Sequence, residues 1–131
     1  TKVGAVISDE DNRVVSIGYN GFPKHIKDDS RLYDRDLKLK IIVHAEANAI
    51  LFANKPLNGC TIYTMPFMPC SNCASLIIQS GIKRVVSIEN KNPKWDESFD
   101  LAKKLFEESN IELKIYTIEE WMESSILHHD N

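Results

Sequence analysis

Two runs of β-branched and other apolar residues near the start of the chain, separated by a polar cluster, predict a β-hairpin. Residues 3–8 and 13–19 are rich in Val and Ile, and the polar run "DEDN" lies between them. Short runs of β-branched residues favour strands, and a cluster of Asp and Asn favours a tight turn. We therefore expect two antiparallel strands in this part of the chain.

Beyond the hairpin, the sequence alternates between helical and extended patterns. Residues 20–40 contain an Asn-Gly pair, a proline and many charged side chains, which indicates a long surface loop. After residue 43, apolar spacing and helix punctuation such as Gly81 predict helices and strands in turn. The predicted helices cover 44–55, 69–81, a segment from about 98 to 110 and 118–127, and the predicted strands cover 60–65, 83–88 and 111–116.

This order of elements predicts the fold class. A hairpin followed by alternating helices and strands is typical of an α/β protein. Crossovers between parallel strands are right-handed, so we expect a mixed sheet of five strands with helices on both faces.

Composition and charge narrow the classes of function. A chain of 131 residues with 43% hydrophobic and 27% charged residues has the profile of one globular domain, covering residues 1–131. Its net charge of −3 and scattered basic residues argue against nucleic acid as a partner. Neither a long apolar run nor a secretory signal is visible in the sequence, so we expect a cytoplasmic protein with no membrane partner. In that reducing compartment, the three cysteines would be thiols or metal ligands.

Two short motifs carry candidate chemistry at the starts of consecutive predicted helices. "HAEANAI" begins at His44, and "PCSNC" supplies Cys70 and Cys73. The partial positive charge of a helix N-terminus favours the thiolate, which is the form that binds zinc. Three protein ligands leave the fourth tetrahedral position for water, as in catalytic zinc sites. Glu46, about 200° round the helix from His44, is better placed to carry protons than to bind the same ion.

Each motif alone has a simpler interpretation. His44 could be a structural histidine, and Cys70 with Cys73 could be a redox pair or half of a structural zinc site. A structural site needs a fourth Cys or His ligand. The remaining candidates lie in a predicted strand, a loop or the tail, where they are poorly placed for it: Cys60, His25, His128 and His129.

Taken together, "HAEANAI" and "PCSNCASLIIQSGIKRVV" resemble the cytidine and deoxycytidylate deaminase superfamily, and "TKVGAVISDEDNRVVSIGYNGFP" looks most like the deoxycytidylate (dCMP) deaminases. The resemblance runs from residue 1 to about 116. It implies a three-layer α/β/α sandwich around a mixed five-stranded sheet, with Zn²⁺ held by His44, Cys70 and Cys73. It also implies that zinc-bound hydroxide attacks C4 of dCMP while Glu46 shuttles protons, which yields dUMP and ammonia.

The same resemblance suggests substrate-binding positions. Asn20 matches an asparagine that hydrogen-bonds the substrate near its sugar, although Asn-Gly is equally a turn signal. Ala45 would contribute a backbone amide to the base. Phe67 is expected either to form a wall against the pyrimidine ring or to pack in the core. The candidates for the phosphate, each of which could instead be a solvated surface side chain, are Lys24, Arg31, Arg35 and Lys55.

The resemblance has further implications for partners. It implies dCMP as the substrate, dCTP and dTTP as effectors, and a homo-oligomer, either a dimer or a hexamer. It also places a helix before the first strand, so either the chain is incomplete or the sheet lacks one cover. The alternatives are deaminases of cytidine, guanine or tRNA adenosine, and a catalytically silent zinc-binding regulatory module. The net charge argues against a tRNA substrate, and Glu46 argues against a silent module.

Overall fold

The computed structural model describes the backbone of residues 2–129 and the side chains of residues 2–123. Within this range the strands are β1 (Gly4–Ser8), β2 (Val14–Tyr19), β3 (Thr61–Met65), β4 (Arg84–Ile88) and β5 (Glu112–Tyr116). The α-helices are α1 (Arg35–Ile41), α2 (Ala45–Phe52), α3 (Ser71–Ser80), α4 (Asp96–Glu108) and α5 (Ile118–His129). Short 3-10 helices cover Ser30–Tyr33 and Pro93–Trp95.

The five strands form one mixed sheet in the order β2-β1-β3-β4-β5. Strand β1 lies between β2 and β3 and is antiparallel to both, with Ala5 opposite Gly18 on one side and Thr64 on the other. Strands β3, β4 and β5 run parallel to one another. The predicted α/β class with a mixed five-stranded sheet is confirmed. The carboxyl ends of β3 and β4 meet at one edge of the sheet, which is where ligands bind in many open α/β folds.

A continuous apolar core joins the sheet to its helices. Ile62 of β3, Ile77 of α3 and Val85 of β4 are fully buried. The helix predicted from about 98 to 110 is confirmed as α4, and its Phe99 and Phe106 both belong to this core. None of the helices in the described part of the chain is long and apolar enough to span a membrane.

The stretch between β2 and α2 is largely exposed, as predicted for a long surface loop, but it is not a loop throughout. It contains a 3-10 helix and α1, and both begin at an aspartate whose side chain caps the first turn. Asp29 Oδ1 accepts a hydrogen bond from the Arg31 amide at 3.1 Å, and Asp34 Oδ1 accepts one from the Leu37 amide at 3.2 Å. The loop prediction was wrong for these two helices because they are short and highly charged. Neither has the long apolar stripe that identifies a helix in a sequence, and each depends on an aspartate cap.

Gly18 allows α2 to pack directly against the sheet. A Cβ atom at this position would overlap the carbonyl oxygen of Ala45 and the amide nitrogen of Ala49, both of which are backbone atoms of α2. Helix α2 carries the candidate proton carrier in its first turn. The position of that turn therefore depends on residue 18 being a glycine, which has no side chain.

Replacing Gly18 by alanine is expected to destabilise the protein by about 1–3 kcal/mol, because the helix backbone must shift to accept the methyl group. Denaturant unfolding of the variant would measure this change. Gly4→Ala is the matched control, since Gly4 is also a strand residue and its Cβ would meet nothing within 4 Å. Equal stabilities of the two variants would contradict the role given to Gly18.

Candidate metal centre and active-site cavity

Two helices direct the candidate metal donors to one point. His44 is the N-cap residue of α2 and Cys70 is the N-cap residue of α3, so both lie just before their helices rather than inside the first turn. Cys73 follows in the first turn of α3. The residue before His44 is fixed by paired backbone hydrogen bonds between Gly21 and Val43, of 2.8 and 3.1 Å.

The spacing of the donor atoms fits a tetrahedral zinc ion. His44 Nδ1 lies 3.3 Å from Cys73 Sγ and 3.5 Å from Cys70 Sγ. Ordinary zinc–nitrogen and zinc–sulfur bonds in tetrahedral geometry put such atoms about 3.6 Å apart. All the donor atoms of the cluster lie within 4.8 Å of one another, and Cys60 and His25 do not belong to it. His128 and His129 fall outside the residues whose side chains are described.

The donor groups shift one another's pKa values. Hydrogen bonding by Cys73, with a smaller contribution from His44, lowers the pKa of the Cys70 thiol to about 4 against the opposing effect of burial. The same contact raises the pKa of Cys73, and hydrogen bonding to Cys70 raises the pKa of His44. Zinc bound to both sulfurs would displace any proton from them, because the thiolate is the form that binds the metal.

Glu46 is a buried acid beside this cluster. It is only 4% exposed and lies in the first turn of α2. Burial raises the pKa of its carboxyl, and hydrogen bonds, including one with Cys73, offset only part of that shift. Glu46 is not one of the clustered metal donors. A buried carboxyl with a raised pKa beside a metal site is suited both to accepting and to releasing protons during a reaction.

A cavity of about 350 Å³ opens over these groups. His44, Glu46 and Cys70 lie in its wall, next to Met68 from the loop after β3. The loop after β4 and helix α1 close other sides of the cavity. The cavity therefore lies at the edge of the sheet where β3 and β4 end.

Four of the predicted substrate-binding residues line the cavity: Asn20, Arg35, Ala45 and Phe67. The Oδ1 atom of Asn20 accepts a hydrogen bond from the Val3 amide at 2.8 Å, which ties the end of β2 to the residue before β1. Phe67 is partly buried and also packs against the core. Both interpretations given to Phe67 are thus compatible with its position.

The other predicted phosphate ligands do not line the cavity: Lys24, Arg31 and Lys55. The Lys24 ammonium lies 5.1 Å from the centre of the Phe52 ring. Arg31 pairs with Asp29 at 2.9 Å. These three side chains are near the metal donors along the chain, but the folded chain does not bring them to the cavity.

Sequence reasoning missed other residues of the cavity wall. Lys38 comes from α1, and Asn92, Lys94 and Trp95 come from the loop after β4. The ring of Trp95 stacks against Phe99 with centroids 6.5 Å apart. One signal could have identified this loop, since the loops that follow parallel strands line ligand sites in open α/β sheets.

The model of the cytidine and deoxycytidylate deaminase zinc-binding region matches residues 1–89. This span includes the metal donors and Glu46, together with β1, β2, β3, α2 and α3. The chain belongs to this family. Its members are zinc-dependent deaminases, and the donor cluster confirms the predicted zinc cofactor.

Known relatives extend the match beyond the zinc-binding region. A deaminase of the luxG 3′ region of Aliivibrio fischeri is 40% identical over 116 residues, which cover 86% of this chain and 78% of that protein. A probable deoxycytidylate deaminase of Caenorhabditis elegans is 42% identical over 118 residues, which cover 85% of this chain and 57% of that protein. The chain thus matches only part of each relative's length.

Solved structures agree with the fold. The apo dCMP deaminase from the cyanophage S-TIM5 has a TM-score of 0.65 and 19% identity, with 86% of this chain and 79% of that chain covered. The same phage protein has been solved in complex with dCMP and dUMP, with a TM-score of 0.62. At this identity the likeness shows the shared deaminase fold.

Proposed function

We propose that this chain catalyses the hydrolytic deamination of dCMP to dUMP and ammonia as a single zinc-dependent deaminase domain. The observation that carries the proposal is the cluster of three zinc donors beside the buried acid Glu46, since two of these donors and Glu46 lie in the wall of one cavity. Relatives that are named deoxycytidylate deaminases support the choice of dCMP. The retained acid argues against a silent zinc-binding module, which has no use for a proton carrier.

The proposed roles in the reaction follow from the positions of the side chains. Bound zinc would supply the polarisation that makes a water molecule nucleophilic at neutral pH. Glu46 takes a proton from the attacking water and gives it to N3 of the cytosine ring as the water oxygen bonds to C4. It then takes the second proton from that oxygen and gives it to the amino group, so the C4–N bond breaks, ammonia leaves and the C4 carbonyl forms. A single carboxyl can perform both transfers because it stays in the cavity wall beside the zinc donors.

Aromatic side chains of the cavity are the proposed contacts of the pyrimidine ring. Phe67 and Trp95 both line the cavity, from the loops after β3 and β4 respectively. Aromatic faces bind flat heterocycles by offset or edge-to-face contacts. Asn20 and the Ala45 amide are the proposed hydrogen-bonding partners, as the family resemblance suggests.

Cations on the cavity wall are the proposed partners of the 5′-phosphate. Arg35 and Lys38 come from α1, and Lys94 comes from the 3-10 helix after β4. These three side chains make none of the ion pairs found among the described residues. They give the cavity a local positive charge although the chain as a whole carries −3, and this suits an anionic ligand.

Replacing Lys38 by methionine, which keeps the aliphatic stem, is expected to raise KM for dCMP about 10-fold, since a hydrogen bond to a charged group is lost. Turnover of deoxycytidine, which has no phosphate, should not change. Lys40→Met is the matched control, because Lys40 belongs to the same helix and does not line the cavity. An unchanged KM for dCMP in Lys38→Met would remove Lys38 from the phosphate site.

The activity itself is tested by ammonia release from the zinc-loaded protein with dCMP, CMP, deoxycytidine, dCTP and guanine in parallel. We expect kcat/KM for dCMP to exceed that for deoxycytidine by about 100-fold or more, because the cations of the cavity lose their partner when the phosphate is absent. A higher kcat/KM for guanine or deoxycytidine than for dCMP would show that the proposed substrate is wrong. Inactivity on every substrate with zinc bound would favour the regulatory module.

The finer implications of the resemblance stay predictions. They are a homo-oligomer, regulation by dCTP and dTTP, and a cytoplasmic location. Light scattering during size-exclusion chromatography, with and without dCTP or dTTP, tests the first two together. A protein that stays monomeric with and without dCTP or dTTP would contradict both predictions.

A further inference from the structure

The helix that carries both cysteines lacks the usual cap at its N-terminus. The N-cap residue of a helix is commonly Ser, Thr, Asp or Asn, whose side-chain oxygen accepts a hydrogen bond from a free backbone N–H group. In α3 the N-cap residue is Cys70, which has a sulfur atom and no side-chain oxygen to accept such a bond. The Cys70 sulfur instead faces His44 Nδ1, at 3.5 Å. The residue at the capping position of α3 is therefore a candidate zinc ligand and not an oxygen-bearing cap.

A hydroxyl from another helix supplies the missing acceptor. Ser98 Oγ, on α4, accepts a hydrogen bond from the Ser71 amide at 3.1 Å. The same hydroxyl lies 3.5 Å from Ser71 Oγ, to which it donates only a long hydrogen bond. Ser71 is the first residue of α3, directly after Cys70 and two residues before Cys73. The contact thus fixes the backbone between the two thiols.

We infer that Ser98 is a positioning residue for the zinc site, which caps α3 from α4 in place of Cys70. Partners that orient metal ligands through a hydrogen bond affect metal affinity although they do not touch the ion. In the sequence of this segment, Ser98 stands between Trp95 and Phe99, which both line the cavity. The Ser71–Ser98 bond therefore connects the aromatic wall of the cavity to the cysteine pair.

Zinc affinity, measured by competition with a chelator, tests this role. Ser98→Ala is expected to bind zinc about 10-fold more weakly than the parent protein, as is typical when a group that orients a metal ligand is lost. Its cobalt(II)-substituted form should show shifted absorption bands, because the thiolate geometry at the metal changes. Ser98→Thr keeps the hydroxyl and should restore both the affinity and the spectrum.

Two further variants separate this role from a general effect of hydroxyl loss. Ser71→Ala keeps the backbone N–H group that donates a hydrogen bond to Ser98 Oγ, so zinc affinity should stay near that of the parent protein. Ser75→Ala removes an exposed hydroxyl of the same helix, which bonds only to the Ser71 carbonyl at 3.3 Å, and should also have no effect.

The inference is wrong if Ser98→Ala binds zinc within about twofold of the parent protein with an unchanged cobalt spectrum, even when the variant unfolds more easily. That result would show that the Ser71–Ser98 hydrogen bond contributes only to the packing of α3 against α4 and not to the zinc site. A loss of affinity that Ser98→Thr does not restore would also overturn it. The measurements use no substrate, so failure of the proposed dCMP activity would leave their outcome unaffected.

Discussion

Glu46→Gln is expected to reduce kcat for dCMP by about 10³-fold or more, because the general acid–base step loses its proton carrier. Glutamine has nearly the same size and shape as glutamate, so the cavity wall should stay in place. Glu46 is not among the clustered metal donors, so the variant should still bind zinc. Ammonia release and zinc content, measured on the same preparation, test both parts of this prediction.

Glu107→Gln is the matched control for this variant. Glu107 is an exposed residue of α4 and does not line the cavity, so its loss of charge should leave kcat unchanged. Near-native turnover by zinc-loaded Glu46→Gln would remove Glu46 from the mechanism. Loss of zinc from this variant would show instead that the carboxyl helps to hold the metal site.

Cys73→Ser is expected to lose tightly bound zinc and, with it, all measurable deamination. Thiolates bind zinc strongly, whereas a serine hydroxyl stays protonated at neutral pH and is a poor ligand. Elemental analysis should find about one zinc per chain in the parent protein and only a small fraction of that in the variant. Added zinc should raise the unfolding temperature of the parent protein and leave that of the variant unchanged.

Cys60→Ser provides the comparison for this loss. Cys60 and Cys73 are both buried, at 3% and 2% exposure, but Cys60 does not belong to the donor cluster. Its replacement puts a hydroxyl into the core and should lower stability without reducing the zinc content. A Cys73→Ser protein that keeps one tightly bound zinc would contradict the assigned ligand set.

The sequence predicts the sheet and the metal donors well because both depend on local patterns. Runs of β-branched residues on either side of a polar turn indicate β1 and β2, and Gly81, which ends α3 with a positive φ of 88°, is a strong stop signal. The motifs around His44 and Cys70 mark the starts of helices. Two helix starts that carry zinc-binding side chains can be paired without knowledge of the rest of the fold.

The cavity wall was less predictable because it depends on contacts between distant segments. Lys38 and Lys94 lie far apart in sequence and line one cavity. Lys24 is closer to His44 in sequence than Lys94 is, yet it lies over the ring of Phe52. Distance along the chain therefore says little about which cations reach the ligand.

The position of Trp95 also gives the protein a built-in optical signal. The chain has two tryptophans, and Trp95 lines the cavity, whereas Trp121 lies on α5. A pyrimidine that stacks near an indole ring changes its fluorescence emission, so a Trp121→Phe protein should report the filling of the cavity through one emitter. Combined with Glu46→Gln, which should halt the chemistry, it would allow the dissociation constants of dCMP and deoxycytidine to be read directly.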